Sequence, residues 1–199
     1  MTAEGTFTPP SEIDRLFGPV VHAQTYRHLL YALLSFPLGI LYFVSMITGL
    51  SIGIGTAIIV IGFVILALTL VVARVFARLE RELAKALLGA TFEQRPPYPR
   101  HWRALLRDRR SWTAVIYLIL RFPVSVAGFV ASVLMLAAVP VMAAPLVYTV
   151  LPFQLGGERV VTSEEALLVS LFGSILFLAA AHAVNGIAAV SRRLSVALL

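Results

Sequence analysis

Two residues with side chains capable of chemistry stand close together in an otherwise apolar stretch. His182 and Asn185 are three apart, so a helix puts them on one face. An imidazole at that spacing can bond the amide, and it can change charge near neutral pH. The pair reads first as a satisfied polar contact between helices, and second as a pH sensor. A metal site needs three or four ligands, and His22, His28 and His101 lie in other segments. No metal and no cofactor is therefore expected.

Arg121 is the one charge inside a predicted apolar helix. It follows Trp112 by nine residues, or about 13 Å along a helix axis. Snorkelling to the cytoplasmic interface accounts for it, with an anion or lipid-headgroup site as the sharper alternative. Ser and Thr are scattered without a positioned His or Asp, and there is no phosphate loop, zincin motif or cysteine. An enzyme is not expected.

The apolar segment 139–165 is the candidate for signal contact. It carries Tyr148, Phe153 and Gln154, then Gly156-Gly157-Glu158-Arg159. Tyr148, Phe153, Gln154 and Arg159, with His182 and Asn185, are the candidate contact residues. A lid packed over the helices is the plainer reading of the same segment.

The elements that must position these residues follow from composition. Of 199 residues, 59% are apolar and only 13% charged, about half the charge of a soluble domain. Mean hydropathy is +0.91. A soluble fold of this length cannot bury that much apolar surface, so a soluble enzyme, a nucleic-acid module and a disordered chain are all excluded. Residues 28–73 hold no charge. As one helix they would be about 69 Å long, against a hydrocarbon core of about 30 Å, so the segment must fold back. The glycine cluster Thr48-Gly49-Leu50-Ser51-Ile52-Gly53-Ile54-Gly55 predicts the turn there. Four spans are expected, at about 28–49, 53–75, 114–138 and 166–190. A cytoplasmic segment 1–24 precedes them, and 76–113 forms the cytoplasmic loop. Residues 1–27 carry Glu4, Glu12 and Asp14 and no early apolar run, which is not a cleaved signal.

Charge placement suggests the orientation. Ten of the 16 basic residues fall in 74–110 against four acids, so this stretch carries the whole net charge of +6. With four spans, Arg15, Arg27, Arg192 and Arg193 fall on the same side and only Arg159 on the other. The positive-inside rule then puts both termini in the cytoplasm of a multi-pass plasma-membrane protein. Arg103, Arg107, Arg109, Arg110 and Arg121 are the candidate contacts to anionic headgroups. Nucleic acid is not the expected partner.

Two stretches repeat at an offset of 86. Tyr31-Ala32-Leu33-Leu34-Ser35-Phe36-Pro37 parallels Tyr117-Leu118-Ile119-Leu120-Arg121-Phe122-Pro123, and Phe43-Val44 parallels Phe129-Val130. At an offset of 111, Arg81-Glu82-Leu83-Ala84 through Leu88 parallels Arg192-Arg193-Leu194-Ser195 through Leu199. The fold class this predicts is all-α and integral to the membrane. Four transmembrane helices form two parallel-repeat hairpins, with cytoplasmic amphipathic helices. Pro37 and Pro123 each remove a backbone donor and are candidate hinges, though a static bend is the commoner outcome. The second helix should run on to Gly89, burying Val72, Phe76, Leu79, Leu83 and Leu87.

The string Thr25-Tyr26-Arg27-His28-Leu29-Leu30-Tyr31-Ala32-Leu33-Leu34-Ser35-Phe36-Pro37, the glycine-rich Thr48–Gly55 and Ala77-Arg78-Leu79-Glu80-Arg81 with Leu87-Leu88-Gly89 occur in a known order. Together with Trp112 through Phe122-Pro123, they resemble the membrane sensor domain found in front of bacterial, notably actinobacterial, histidine kinases. The resemblance covers about residues 19–199 and implies a four-helix module that detects a signal and passes it to a cytoplasmic output domain. It brings no ligand or catalytic residue with it. The sequence stops at Leu199, so the expectation is either a stand-alone sensor-like protein or a piece of a longer one truncated before its output domain. The expected partner is a cytoplasmic histidine kinase or regulator, with a second copy of the chain as a further candidate. The competing expectations are a small transporter or lipid-handling protein and a structural partner of another membrane complex.

Overall fold

A computed structural model describes residues 23–92, 102–147, 154–155, 158–159 and 163–199. The described chain is helical apart from one two-residue ladder. Helix α1 spans Ala23–Gly55, α2 Ile61–Leu88, α3 Trp102–Arg107, α4 Arg109–Met142, α5 Ala144–Val147 and α6 Ser163–Leu198. Strands β1 (Gln154–Leu155) and β2 (Glu158–Arg159) pair antiparallel. Helices α1, α2, α4 and α6 are each long and apolar enough to cross a membrane. Large apolar side chains such as Val64, Leu68, Leu134 and Leu171 line their outer surface. That is the reverse of a soluble protein and suits lipid as the surrounding solvent.

The first turn lies later than the glycines predict. Helix α1 continues through Gly49, Gly53 and Gly55, and the chain reverses at Thr56–Val60 through a short 3₁₀ turn, Ala57–Ile59. Gly49 and Gly53 are packing positions instead. A Cβ at Gly49 would strike the Thr69 side chain, and one at Gly53 would strike Leu66. Their lack of a side chain lets α1 and α2 approach closely. Gly89 does end α2, with a left-handed φ of 61° and its N–H donating to the Ala84 carbonyl.

Four residues of the predicted α2 stripe, Val72, Phe76, Leu83 and Leu87, pack against the interior. Leu79 is exposed, while Ala73, Ala77, Glu80, Ala84 and Leu88 face the interior. Asp108 caps α4 by accepting from the Arg110 N–H. Pro37 and Pro123 sit inside unbroken helices.

The hairpins pack in a way the parallel repeat did not predict. Phe36 stacks on Phe129 with ring centroids 4.2 Å apart, and Phe43 stacks on Phe122 at 4.6 Å. Helices α1 and α4 are therefore antiparallel where they touch. The two stacks exchange under the offset of 86, because Phe36 corresponds to Phe122 and Phe43 to Phe129. Equivalent residues also meet each other: Ser35 bonds Arg121, and Gly39 abuts Ser125. These contacts define a two-fold axis running between the leading helices, across their length. The closing helices obey it too. Leu88 of α2 lies with Tyr31 and Ala188, and its counterpart Leu199 of α6 lies with Tyr117 and Ala77.

The expected parallel arrangement rested on counting arginines as if all were solvated. One of those counted is not. Arg74 is 8% exposed, its side chain bonding Ser111 and Asp108. Neutralised arginines inside a bundle carry no information about which side of a membrane they face.

Candidate functional site

At the axis lies a polar centre in an otherwise apolar bundle. Glu80 comes from α2 and Arg121 from α4, and their exposures are 0% and 2%. Arg121 Nε donates to Glu80 Oε1 at 2.8 Å. Two phenols from equivalent positions converge on the same oxygen. The Tyr31 hydroxyl donates to it at 2.6 Å and the Tyr117 hydroxyl at 3.2 Å. The other guanidinium nitrogens are taken by hydroxyls: Nη2 donates to Ser35 Oγ at 2.6 Å and Nη1 to Ser191 Oγ at 3.1 Å. The guanidinium also sits 4.8 Å over the Tyr31 ring, a cation–π contact that gains strength away from water. Ser195 Oγ, 2.8 Å from the Tyr117 hydroxyl, ties in α6.

The sequence offsets of 86 and 111 relate the partners of this centre. Ser35 is the counterpart of Arg121, and Ser191 is the counterpart of Glu80. Each half thus supplies one charge and one serine. The acid is on the first half, the base on the second, and Arg121 bonds both serines. All four long helices contribute, so no helix can move far without disturbing the ion pair. Glu80 Oε2 and the Tyr42 hydroxyl are buried close together in the same centre. A buried charge is expensive unless its partners stay in place. Small helix displacements therefore change its energy steeply. A cavity of about 10 Å³ beside Arg121, Ser35 and Ser191 has room for one water.

The expectation that Arg121 snorkels to headgroups fails. Its guanidinium points into the bundle and meets the buried carboxylate of Glu80. Arg103, Arg107, Arg109 and Arg110 remain exposed, as headgroup contact requires. His182 and Asn185 are not a pair. His182 is exposed and its Nδ1 donates to the Leu178 carbonyl. Asn185 turns the other way, its Oδ1 accepting from His28 Nδ1 at 2.6 Å and its Nδ2 donating to Thr25 Oγ1. Tyr148 and Phe153 lie outside the described residues, and Gln154 and Arg159 are partners in the β1–β2 register. No group of His, Asp and Glu among the described residues has the arrangement of a metal site.

Sequence reasoning missed Glu80 because it counted it among the solvated charges of the cytoplasmic stretch after the second span. The signal was the row Ala73, Ala77, Glu80, Ala84 and Leu88 at steps of four, three, four and four. Small residues at that spacing mark a close-packed face, and the acid sits within it.

A family model described as "Putative sensor" matches residues 31–199. The chain belongs to this family. The match spans both hairpins and includes Glu80, Arg121 and both tyrosines of the sensor's polar centre. No curated protein and no solved structure matches the sensor chain.

Proposed function

We propose that this chain is a non-catalytic membrane sensor module that relays an outer or intramembrane stimulus to a cytoplasmic histidine kinase or regulator. The observation that carries this reading is the Glu80–Arg121 pair, buried at the crossing of four long helices. A stimulus that shifts one hairpin against the other alters the energy of a buried pair. That energy is large enough to bias two packings of the same bundle. Helix α2 then carries the shift to its end at Leu88.

The test is capture of the tagged full chain from its native membrane, followed by phosphorylation of the captured material with labelled ATP. A co-purifying histidine kinase whose autophosphorylation differs between wild type and R121M supports the relay. Equal autophosphorylation with both forms, or capture without any kinase or regulator, overturns it.

A second reading has one observation in its favour. Halves related by a two-fold axis across the helices, with polar residues at the axis, resemble the inverted repeats of secondary transporters. The cavity at that centre holds about 10 Å³, too little for a solute in this conformation. Movement of a solute against its gradient in vesicles containing only this chain would establish transport and displace the sensor reading.

A further inference from the structure

The two halves diverge where their closing helices end. In α2, the Arg81 guanidinium lies 4.9 Å over the Phe92 ring, and Glu82 accepts from Lys85 Nζ at 2.8 Å. The repeat counterparts of Arg81 and Glu82 are Arg192 and Arg193. The acid of the first half has become a second base, and the counterpart of Lys85 is Val196. Arg192 and Arg193 are exposed, and neither makes an ion pair or hydrogen bond among the described residues.

Both arginines border a cleft of about 410 Å³, closed opposite by Gly89, Ala90 and Thr91. Arg192 also borders an adjoining cleft of about 170 Å³, where His28 and Asn185 form part of the wall. Among the described residues, no carboxylate lines either cleft. Two adjacent cations without an acid repel each other, and an anion between them removes that repulsion. Each guanidinium offers several donors in a planar fork that matches phosphate oxygens. Two forks supply more donors than a carboxylate accepts well, so the chemistry favours a phosphate group.

We propose that this cleft binds the phosphate group of an anionic ligand, with Arg192 and Arg193 as its two arms. The phosphate comes either from a lipid headgroup or from a free phosphate compound, and the shared recognition chemistry is the same. The site is separate from the buried Glu80–Arg121 centre and does not rest on the sensing role.

The experiment uses the full chain in nanodiscs and follows thermal unfolding. In discs of neutral phosphatidylcholine, inorganic phosphate is titrated. In a second series, phosphatidylglycerol replaces part of the neutral lipid. R192Q/R193Q is compared with wild type and with R103Q/R107Q/R109Q/R110Q. Without phosphate in neutral discs, R192Q/R193Q should unfold with wild type, since both side chains are exposed. A phosphate-dependent rise in Tm that needs about tenfold more phosphate in R192Q/R193Q assigns a free phosphate compound. A rise with phosphatidylglycerol alone, lost in R192Q/R193Q, assigns a lipid headgroup. Responses unchanged by R192Q/R193Q in both series, or lost only in the quadruple variant, overturn the proposal.

Discussion

At the scale of residues, the molecule turns on one charge pair. Glu80 and Arg121 are buried together, and three hydroxyls besides Tyr31 complete the shell of Arg121 and Glu80 Oε1. Removing one partner of such a pair leaves the other charge stranded, at a cost of about 3–5 kcal/mol. R121M alone should therefore lower Tm sharply. E80Q/R121M should be destabilised by clearly less than the sum of its two single variants, because neither charge is then left alone. Thermal unfolding in detergent of the two singles and the double checks this. Additive losses would mean that the pair contributes nothing as a pair. Arg121 was visible in the sequence as an isolated charge, but its partner was not. Hydropathy marks a span by the absence of charge, and Glu80 lies among Arg78, Arg81 and Glu82. A buried acid beside exposed bases looks, in one dimension, like part of a loop.

At the scale of elements, the apolar periodicity located all four long helices, because charge-free stretches longer than a bilayer is thick must fold back. Their pairing was less legible. The glycines of Thr48–Gly55 look like a turn, yet Gly49 and Gly53 are where α2 approaches α1. Glycine serves both purposes, and only the facing side chains, Thr69 and Leu66, decide between them. The repeat was legible as similarity but not as direction, since likeness between segments does not say whether they pack head to head or head to tail. Cross-linking gives the direction. The chain has no cysteine, so introduced pairs report without background. F36C/F129C and F43C/F122C should both link with a short thiol-specific reagent, and with similar yield, because the stacks are two-fold equivalents. Failure of both pairs to link would overturn the antiparallel packing of α1 and α4.

At the scale of the whole molecule, the two hairpins are complementary in charge at their shared centre. Had both halves kept an acid at the position of Glu80, the axis would hold two buried carboxylates. Had both kept a base at the position of Arg121, it would hold two guanidiniums. Either arrangement strands like charges in a low-dielectric centre. One acid on the first half and one base on the second favours pairing of unlike halves and disfavours pairing of like ones, which is specificity by charge. The two-fold axis makes this testable within the full chain. Ser35 and Arg121 are equivalent and touch at 2.6 Å, so the guanidinium should be transferable across the axis. R121S alone should lose much of the stability that R121M loses. In R121S/S35R the arginine reaches toward Glu80 from α1, into the space Arg121 vacates, and the new serine can accept from it as Ser35 now does. At least half of the lost Tm should return. A double variant no more stable than R121S would show that the symmetry holds for the backbone and the phenylalanine stacks but not for the charge at its centre.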